Sequence, residues 1–361
     1  MDIRTNSGDS VLPPVSAPMP DLEAIRENTR QTLRSLLGEF RDVALLDIPT
    51  HENVGDNMIW KGEQEYLRQL GRKIAYEADI FRMSDDLLRR RLPQGPILLH
   101  GGGNFGDIWP LFQDFRESVA ERFTDRKIIQ LPQTVFFKDD DRAEQANRVL
   151  SAHPDFTLMV RDHNSYQRAL RCLPDVRVVF CPDMALGWSP AAKPYKGSRE
   201  LVVLARQDRE ASIDLKRSLE GQLSPGDLVR DWRLRGISRV LWLATRIPGR
   251  LARLNARLRA SISLYHLVVF ANHFNRSQNL RTGVRFLSRG HVVVTDRLHA
   301  HVLASLLSIP NVVVDNNYGK VSSIYYDYTH VFDVAKFVSD PHELGPVVDE
   351  FLHVLTPGDA K

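Results

Sequence analysis

Cysteine is scarce in this sequence, and long hydrophobic runs are lacking. The 361 residues include two cysteines, Cys172 and Cys181, which are too few for a disulfide framework and lack the spacing of a metal site. This scarcity favours a reducing compartment. No apolar run approaches the roughly 18 residues of a membrane span, and the first residues contain no apolar segment typical of a secretory signal. We therefore expect a cytoplasmic protein.

A large excess of one charge is also lacking. Lysine and arginine together number 48 and aspartate and glutamate 45, which leaves a formal net charge of +3. Such a balance argues against a dedicated nucleic-acid-binding protein, so we expect no nucleic acid partner. The chain is 43% hydrophobic and 26% charged, the composition of an ordinary globular protein. At roughly 150 residues per domain, its length predicts about two domains.

The first half of the chain alternates short β-branched runs with helical patterns. Residues 1–20 are rich in proline and serine without periodicity, and we predict a disordered tail there. Residues 21–190 are predicted to form one domain. Its predicted strands lie at residues 43–48, 97–100, 127–131, 156–160 and 176–180. Strands that alternate with helices in this way are typical of a parallel α/β sheet.

The second half repeats this organisation after a break. Residues 189–198 combine prolines, a glycine and small side chains, which predicts a linker. Residues 196–361 are then predicted to form a second α/β domain, interrupted by a helical, arginine-rich insertion at about 206–262. The predicted strands of this domain lie at residues 200–205, 264–270, 291–295 and 311–315.

The insertion concentrates positive charge that the net charge conceals. Nine arginines stand between Arg230 and Arg259, and Asp231 is the one acidic residue among them. Tryptophan, leucine and isoleucine lie between the arginines, a composition suited to a helix on an anionic membrane surface. A solvated helix face is one alternative. Nucleic acid binding is another, but it lacks a motif. We predict peripheral membrane contact, on the inner face of the cytoplasmic membrane.

A glycine-rich loop follows the predicted strand 97–100. It contains Gly102, Gly103, Asn104 and Asp107. Glycines at the carboxyl end of a parallel strand let the backbone approach a ligand closely. The spacing formally meets the dinucleotide-binding pattern, but the next strand lacks the acidic residue expected for a ribose hydroxyl, and no Walker A lysine follows. We favour a ligand-binding loop over a tight turn at the strand end.

A polar turn follows the first predicted strand. It contains Asn53, Gly55, Asp56 and Asn57. One interpretation is structural, because Asp56 is suited to cap the following helix. The other is that this strand-to-helix loop faces the same ligand as the glycine-rich loop.

The third segment begins at the end of the predicted strand 291–295. Thr295 or Asp296 is expected to cap the next helix, so Arg297 and His299 fall in its first turn. Free backbone N–H groups and the positive end of the helix dipole attract anions there. A cationic arginine at this position is unfavourable for the helix itself, which indicates function. The alternative is a surface arginine beside a hydrogen-bonded histidine.

Two further strand ends carry charge. Arg206 is the first charged residue after the predicted strand 200–205, where open α/β sheets meet their ligands. Arg161, Asp162 and His163 follow strand 156–160 and are weaker candidates of the same kind. Charge clusters of this type are also common as solvated surface.

Together these segments resemble the polysaccharide pyruvyl transferase family. The segments from Asn53 to Asp56, from Gly101 to Asp107 and from Thr295 to His299 occur in the order and spacing of that family, and Asp315 and Lys320 follow. The resemblance implies two Rossmann-like domains that face each other across a cleft, similar to GT-B glycosyltransferases. It implies transfer of pyruvate from phosphoenolpyruvate onto two hydroxyls of a sugar as a cyclic ketal. Such ketals belong to exopolysaccharide or cell-surface glycan biosynthesis, often on a lipid-linked acceptor.

The resemblance also implies roles for the donor-side residues. Arginines bind phosphate and carboxylate groups as bidentate forks, which suits phosphoenolpyruvate. The residues predicted to bind this donor are Arg206, Arg297, His299 and Lys320. His299 is the predicted general acid, because a histidine titrates near neutral pH. Arg297 is predicted to assist catalysis.

The first half is predicted to supply the acceptor side. Asp107 is the predicted base for the attacking hydroxyl. The residues predicted to bind the sugar are Asn57, Gly102, Gly103, Asn104, Asp107 and Trp109. No metal and no cofactor is expected, because the arginines neutralise the donor, and phosphoenolpyruvate is a co-substrate.

Two rival functions remain on this architecture. One is a GT-B glycosyltransferase that uses a nucleotide sugar, although the turn with Arg297 and His299 matches such enzymes less well. The other is a non-catalytic glycan-binding protein, against which the retained arginine and histidine argue. The sequence contains neither the G-x-S-x-G nor the H-E-x-x-H motif, which disfavours a serine hydrolase and a zinc enzyme.

Overall fold

The computed structural model describes residues 21–191, 199–205, 215–219, 221–315 and 319–355. The predicted tail at 1–20, most of the predicted linker, and Arg206 lie outside the described residues.

Strands and helices alternate through the first half of the chain. The strands are β1 (Asp42–Leu46), β2 (Lys73–Ala78), β3 (Ile97–Leu99), β4 (Gly102–Gly106), β5 (Ile128–Phe136), β6 (Phe156–Val160) and β7 (Arg177–Phe180). The helices are α1 (Leu22–Leu37), α2 (Val54–Gln69), α3 (Asp85–Arg91), α4 (Pro110–Arg122), α5 (Asp140–Ser151) and α6 (His163–Cys172), and a 3₁₀ turn follows at Met184–Gly187.

The second half contains a further set of elements. Its strands are β8 (Arg199–Leu204), β9 (Leu228–Val229), β10 (Gly290–Thr295), β11 (Asn311–Val314) and β12 (Ala335–Val338). Its α-helices are α7 (Leu215–Ser218), α8 (Gly236–Ala244), α9 (Ile247–Leu254), α10 (Ala256–Arg259), α11 (Ile262–Leu287), α12 (Leu298–Leu306), α13 (Lys320–Asp327) and α14 (Leu344–Leu355).

Both halves are built on parallel sheets. The first has the order β2-β1-β3-β5-β6-β7, with β4 paired to β5, and the second has the order β12-β11-β10-β8-β9. Every strand ladder in the described residues is parallel. Strands β3 and β6 are buried along their whole length, as expected where helices cover both faces of a parallel sheet. The predicted α/β class with parallel, Rossmann-like sheets is therefore confirmed.

One hydrophobic core runs through both halves. Val54 and Met58 of α2 belong to the same buried cluster as Leu280 of α11 and Leu303 of α12. Helix α11 packs closely against α2. A Cβ added at Gly283 of α11 would lie only 2.5 Å from Val54 Cγ1 of α2. Burial of this shared apolar surface holds the halves together. Whether they face each other across a GT-B-like cleft stays a prediction.

The strand predicted at 264–270 is wrong. These residues belong to α11, a helix of 26 residues that Ser261 caps through a bond from the backbone N–H of Leu264. A short apolar run fits a strand and a buried helix segment equally well, and only the sequence around it decides. Here no turn signal follows, and the helical pattern continues to Leu287.

The described part of the insertion contains several helices and the short strand β9. Helices α8, α9 and α10 follow one another, and Trp232 and Trp242 are buried. None of the helices in the described part of the chain is long and apolar enough to cross a membrane.

Candidate active site

The turn after β10 presents His299 to the first half of the chain. Arg297 is the N-cap of α12, so the helix begins at Leu298, slightly later than the sequence predicts. Thr295 still supports this turn, since its Oγ1 accepts a hydrogen bond from the backbone N–H of Arg297 at 3.1 Å. His299 therefore lies in the first helical turn. Its side chain is 13% exposed, so the ring is largely enclosed but still reached by solvent.

The ring of His299 packs against the backbone of α2. A Cβ added at Gly55 would lie 2.6 Å from His299 Nδ1 and 2.9 Å from its Cβ. Only glycine therefore fits at this position without displacing the imidazole. The polar turn before α2 meets the third sequence segment here, and the contact joins the two halves at the site.

Asp183 holds the other side of the imidazole. Its Oδ2 lies 3.3 Å from His299 Nε2 and 2.6 Å from Arg161 Nη1. Its Oδ1 accepts a hydrogen bond from the backbone N–H of Ala185 at 2.8 Å. Burial by itself would raise the pKa of the Asp183 carboxyl, but the charges of Arg161 and His299 outweigh it and hold that pKa well below its usual range. Asp183 is thus a carboxylate that orients His299.

Arg161 and Lys320 add positive charge beside the glycine-rich loop. Arg161 is buried and donates from Nε to Thr134 Oγ1 at 2.9 Å. A Cβ added at Gly103 would lie 3.0 Å from Arg161 Nη2 and 3.8 Å from Lys320 Nζ. Residues from both sheets therefore meet at one point. We call Arg161, Asp183, His299 and Lys320 the His299 cluster.

Arg297 turns towards the insertion. Its Nη2 donates to Asp231 Oδ2 at 3.0 Å, and the side chains of Arg297 and Asp231 are 14% and 10% exposed. Asp231 is the single acid between Arg230 and Arg259. A donor-binding role for Arg297 stays a prediction, and it requires the arginine to share or leave this ion pair. Arg206, the other predicted donor arginine, lies outside the described residues.

The predicted acceptor residues are spread along two loops. Asn57 is buried and donates to Asn53 O at 2.6 Å, which stabilises the start of its own helix. Gly102 and Gly103 lie on β4, and Gly103 reaches the His299 cluster. Asn104 Oδ1 accepts a hydrogen bond from Arg116 Nη2 at 2.9 Å. These contacts give the two asparagines structural partners.

Asp107 and Trp109 lie further along the same segment. Asp107 Oδ2 accepts hydrogen bonds from the backbone N–H groups of Lys138 and Asp139, both at 2.7 Å. Trp109 precedes α4 and is 50% exposed. Within the described residues, no hydrogen bond joins Asp107 to the His299 cluster. Its contacts organise the turn before α5, and its role as a base stays a prediction.

A buried charge network supports the glycine-rich loop from below. Glu63 Oε1 accepts from the backbone N–H of Gly101, and its Oε2 lies 2.8 Å from His100 Nδ1. Asp47, at the end of β1, has a positive φ of 61°. Burial raises the pKa of Asp47 to about 7, although Arg116 and His100 oppose the rise. Strained, buried titratable groups of this kind cluster near functional sites.

His301 differs from His299 although only two residues separate them. It is buried, with Nδ1 2.8 Å from Asn311 Oδ1 and Nε2 2.8 Å from Thr329 Oγ1. Burial lowers the pKa of His301 to about 4, against a smaller opposing effect of Asn311. His301 is therefore a neutral structural histidine, and His299 is the candidate for proton transfer.

Sequence reasoning missed Asp183 and did not foresee the contact that Gly55 makes. Asp183 follows β7, so the rule that singled out Arg206 after β8 also applies to it. Gly55 was placed in a polar turn, but its close approach to His299 depends on how α2 packs against α12. Among the described residues, no group of three or more histidine, cysteine, aspartate or glutamate side chains is placed to hold a metal ion.

Comparison with known proteins agrees with the sequence resemblance. The sequence profile of the family described as polysaccharide pyruvyl transferase matches residues 53–318, well over half of the chain. Pyruvyl transferase 1 of Schizosaccharomyces pombe is 28% identical over 307 residues, which cover 81% of this chain and 70% of that protein. EpsO of Bacillus subtilis is 29% identical over 299 residues, which cover 82% of this chain and 88% of EpsO.

A solved structure supports the fold. The crystal structure of an uncharacterized protein from Klebsiella pneumoniae superposes with a TM-score of 0.56 at 18% identity. The superposition covers 88% of this chain and 99% of that one. At this identity the likeness concerns the fold alone.

Proposed function

Because this chain belongs to the polysaccharide pyruvyl transferase family, we propose that it transfers pyruvate from phosphoenolpyruvate onto two hydroxyls of a glycan sugar. The product is a cyclic ketal in an exopolysaccharide or cell-surface glycan. The observation that carries the proposal is the meeting of His299 with the Asp183–Arg161 ion pair beside Gly103 and Lys320. A proton donor thus lies next to fixed positive charge, as a small anion with a phosphate, a carboxylate and a reactive double bond requires.

The donor would be held by charge-assisted hydrogen bonds. Phosphoenolpyruvate carries a phosphate and a carboxylate close together, and guanidinium and ammonium groups bind both. Arg161 and Lys320 supply positive charge on the side of the glycine-rich loop, and the backbone at Gly103 leaves the space. Arg297 is the further candidate, if donor binding draws it from Asp231.

Proton transfer would begin at His299. His299 protonates the donor methylene, which becomes a methyl group and leaves an oxocarbenium-like carbon. The ionised Asp183 stabilises the imidazolium before transfer and fixes the ring orientation. One sugar hydroxyl then attacks this carbon, phosphate departs, and the second hydroxyl closes the ring. Two O–H bonds and the C–O bond to phosphate break, the C=C double bond becomes single, and two C–O bonds and one C–H bond form; one proton ends on the methyl group and one on phosphate.

We further propose that the insertion docks the enzyme on the inner face of the cytoplasmic membrane, where a lipid-linked acceptor would be found. Large apolar side chains are exposed along α8 and α9, among them Ile237 at 79% and Leu254 at 72%. Arg250 in α9 and Arg257 in α10 are exposed as well. Apolar side chains interleaved with arginines suit the interface of an anionic bilayer.

One assay tests the transfer. The protein is incubated with phosphoenolpyruvate and a panel of acceptor glycans, and phosphate release is followed together with a pyruvyl mass increment on the glycan. We expect both signals on at least one acceptor. Sugar transfer from a nucleotide sugar, with no consumption of phosphoenolpyruvate, would overturn the proposal in favour of a glycosyltransferase.

A further inference from the structure

A second concave site lies where the insertion meets the first half. It is a narrow cleft, and its lining includes Arg82, Arg246 and Arg276 together with His51 and Asn275. Helix α11 forms one wall, and the loop that runs from β1 to α2 forms another. We call this site the arginine cleft. None of the residues in the His299 cluster lines it.

Arg276 is buried in this cleft, and some of its donors are not satisfied by any of the described residues. It is 2% exposed, and its Nε donates to Pro49 O at 3.1 Å. Neither Nη1 nor Nη2 makes a hydrogen bond among the described residues. Glu77 Oε1 lies 3.8 Å from Nη1, but it already binds His273 Nε2 at 2.7 Å. Burial lowers the pKa of Arg276 to about 10, so the group stays charged at neutral pH.

Arg246 adds a second guanidinium to the cleft, and none of the described carboxylates pairs with it. It stacks on Trp242, with its Cζ 4.3 Å from the ring centroid. Burial and the nearby charges of Arg82, Arg250 and Arg253 lower the pKa of Arg246. Within the described part of the chain, no ion pair neutralises it. A buried or crowded cation without a counter-ion is costly, and a bound anion would relieve that cost.

Other groups around the cleft limit which anion fits. Arg82 pairs with Asp79 at 2.5 Å, so it contributes less free charge. Asn275 Oδ1 accepts a hydrogen bond from Thr245 Oγ1 at 2.6 Å, which leaves its amide N–H groups as donors. The lining therefore carries several donor groups, on Arg246, Asn275 and Arg276. A phosphate accepts from several directions, whereas a carboxylate accepts in one plane.

From these contacts we propose that the arginine cleft is a second ligand site, which binds a phosphomonoester or diphosphate group. The inference deepens the proposed function and rests on it for the source of the phosphate, because a glycan carried on a lipid phosphate presents a sugar and a phosphate together. The two sites are joined through one turn. His51 of the cleft lies 3.3 Å from Asp56, and the neighbouring Gly55 touches His299.

Inorganic pyrophosphate titrated calorimetrically into the full chain tests the site without turnover. We expect Arg246→Gln to weaken binding by about tenfold or more, because a charge-assisted bond is lost. Arg285→Gln is the matched control, since it removes an exposed arginine from the far end of α11, and it should change affinity by less than about twofold. Arg276→Gln should act like Arg246→Gln, and thermal unfolding checks that both variants fold.

Phosphoenolpyruvate separates the cleft from the donor site. Arg246→Gln should leave phosphoenolpyruvate binding unchanged, and Lys320→Gln should leave pyrophosphate binding unchanged. The inference would be overturned if Arg246→Gln and Arg285→Gln weakened pyrophosphate binding equally, or if the unaltered chain did not bind pyrophosphate. Loss of phosphoenolpyruvate binding in Arg246→Gln would also overturn it, since the cleft would then be the donor site.

Vesicles identify the source of the phosphate. Phosphatidylcholine vesicles that contain phosphatidic acid should displace pyrophosphate if the ligand is a lipid headgroup, and pure phosphatidylcholine vesicles should not. If neither kind of vesicle displaces pyrophosphate, the result supports a free phosphate compound as the ligand. Intact pyrophosphate binding in a protein that consumes no phosphoenolpyruvate would reject the proposed function and leave the cleft standing.

Discussion

The His299 cluster and the arginine cleft use positive charge in opposite ways. In the cluster, Arg161 is fixed by Asp183 at 2.6 Å and by Thr134 at 2.9 Å. In the cleft, Arg276 leaves two donors without hydrogen bonds among the described residues, and neighbouring arginines crowd Arg246. The His299 cluster thus holds Arg161 in a single geometry, whereas the arginine cleft brings several arginines close together.

The difference indicates two kinds of recognition. A preorganised group stabilises charge that develops during a reaction, because it needs no rearrangement at that moment. Crowded, weakly compensated arginines attract an anion instead, and that attraction falls with salt where the groups are exposed. These contrasts support the proposals that the His299 cluster carries the chemistry and that the arginine cleft binds an anion.

Removing the proton donor should produce the largest effect. We expect His299→Asn to lower kcat/KM by about 10² to 10⁴-fold, the usual contribution of a general acid. Asp107→Asn is the informative comparison, since Asp107 is the base that the sequence predicts and its described hydrogen bonds run to backbone groups. An equal loss in both variants would place Asp107 in the reaction, and near-normal turnover of His299→Asn would reject the site.

Displacing the imidazole of His299 without removing it should have the second-largest effect. In Gly55→Ala the new Cβ would meet His299 at 2.6 Å, so the ring must move. A misplacement of this size costs up to about 100-fold in rate. Gly226→Ala is the control, because no atom lies within 4 Å of a Cβ added there. Steady-state kinetics of both variants would contradict the packing argument if Gly55→Ala were as active as the control.

Neutralising the exposed arginines of the insertion should weaken membrane attachment. Each arginine near an anionic bilayer contributes about 1 kcal/mol, so Arg250→Gln combined with Arg257→Gln should reduce partitioning by roughly 30-fold. Flotation with anionic liposomes measures this. If the double variant floats with the liposomes as well as the unaltered protein does, the result would argue for a solvated helix face. Liposome binding that is insensitive to salt would argue for the same alternative.

The last prediction concerns stability, not activity or attachment, and tests the network beneath the glycine-rich loop. Burial raises the pKa of Asp47 from 3.8 to about 7, so the folded state binds this proton more tightly than the unfolded state. The free energy of unfolding should therefore fall as pH rises from about 4 to 7, by at most about 1.4 kcal/mol per pH unit. Asp47→Asn should flatten this slope, and asparagine tolerates the positive φ. Urea unfolding at pH 5 and pH 8 measures it; parallel curves for both proteins would contradict the assignment.

Much of the fold was predictable, because strand and helix periodicities are local. The strand predicted at 156–160 matches β6 at both ends, and the turn with Arg297 and His299 lies at the start of a helix. The strand predicted at 264–270 failed, since an apolar run cannot report whether its neighbours continue a helix. β4 was missed because glycine and asparagine are poor strand formers, and only its pairing with β5 makes it a strand.

The candidate site was predictable in its types of residue and less so in its membership. His299, Gly103 and Lys320 were named, and they come together. Asn57 and Asn104 were also named for their chemistry, but packing uses their polar groups for hydrogen bonds within the protein. Asp183 and Arg161 gain importance only through their ion pair, 22 residues apart along the chain.

The sequence by itself determined the α/β class, the family and the segments that carry charge, because these depend on composition, periodicity and spacing along one chain. The tertiary structure decided which of those charges meet. Asp183 stays ionised because folding brings Arg161 and His299 to it. Arg276 lacks hydrogen-bond partners at its outer nitrogens among the described residues, because folding buries it beside Trp60. Electrostatic energies depend on distance and burial, and neither is written in the order of residues.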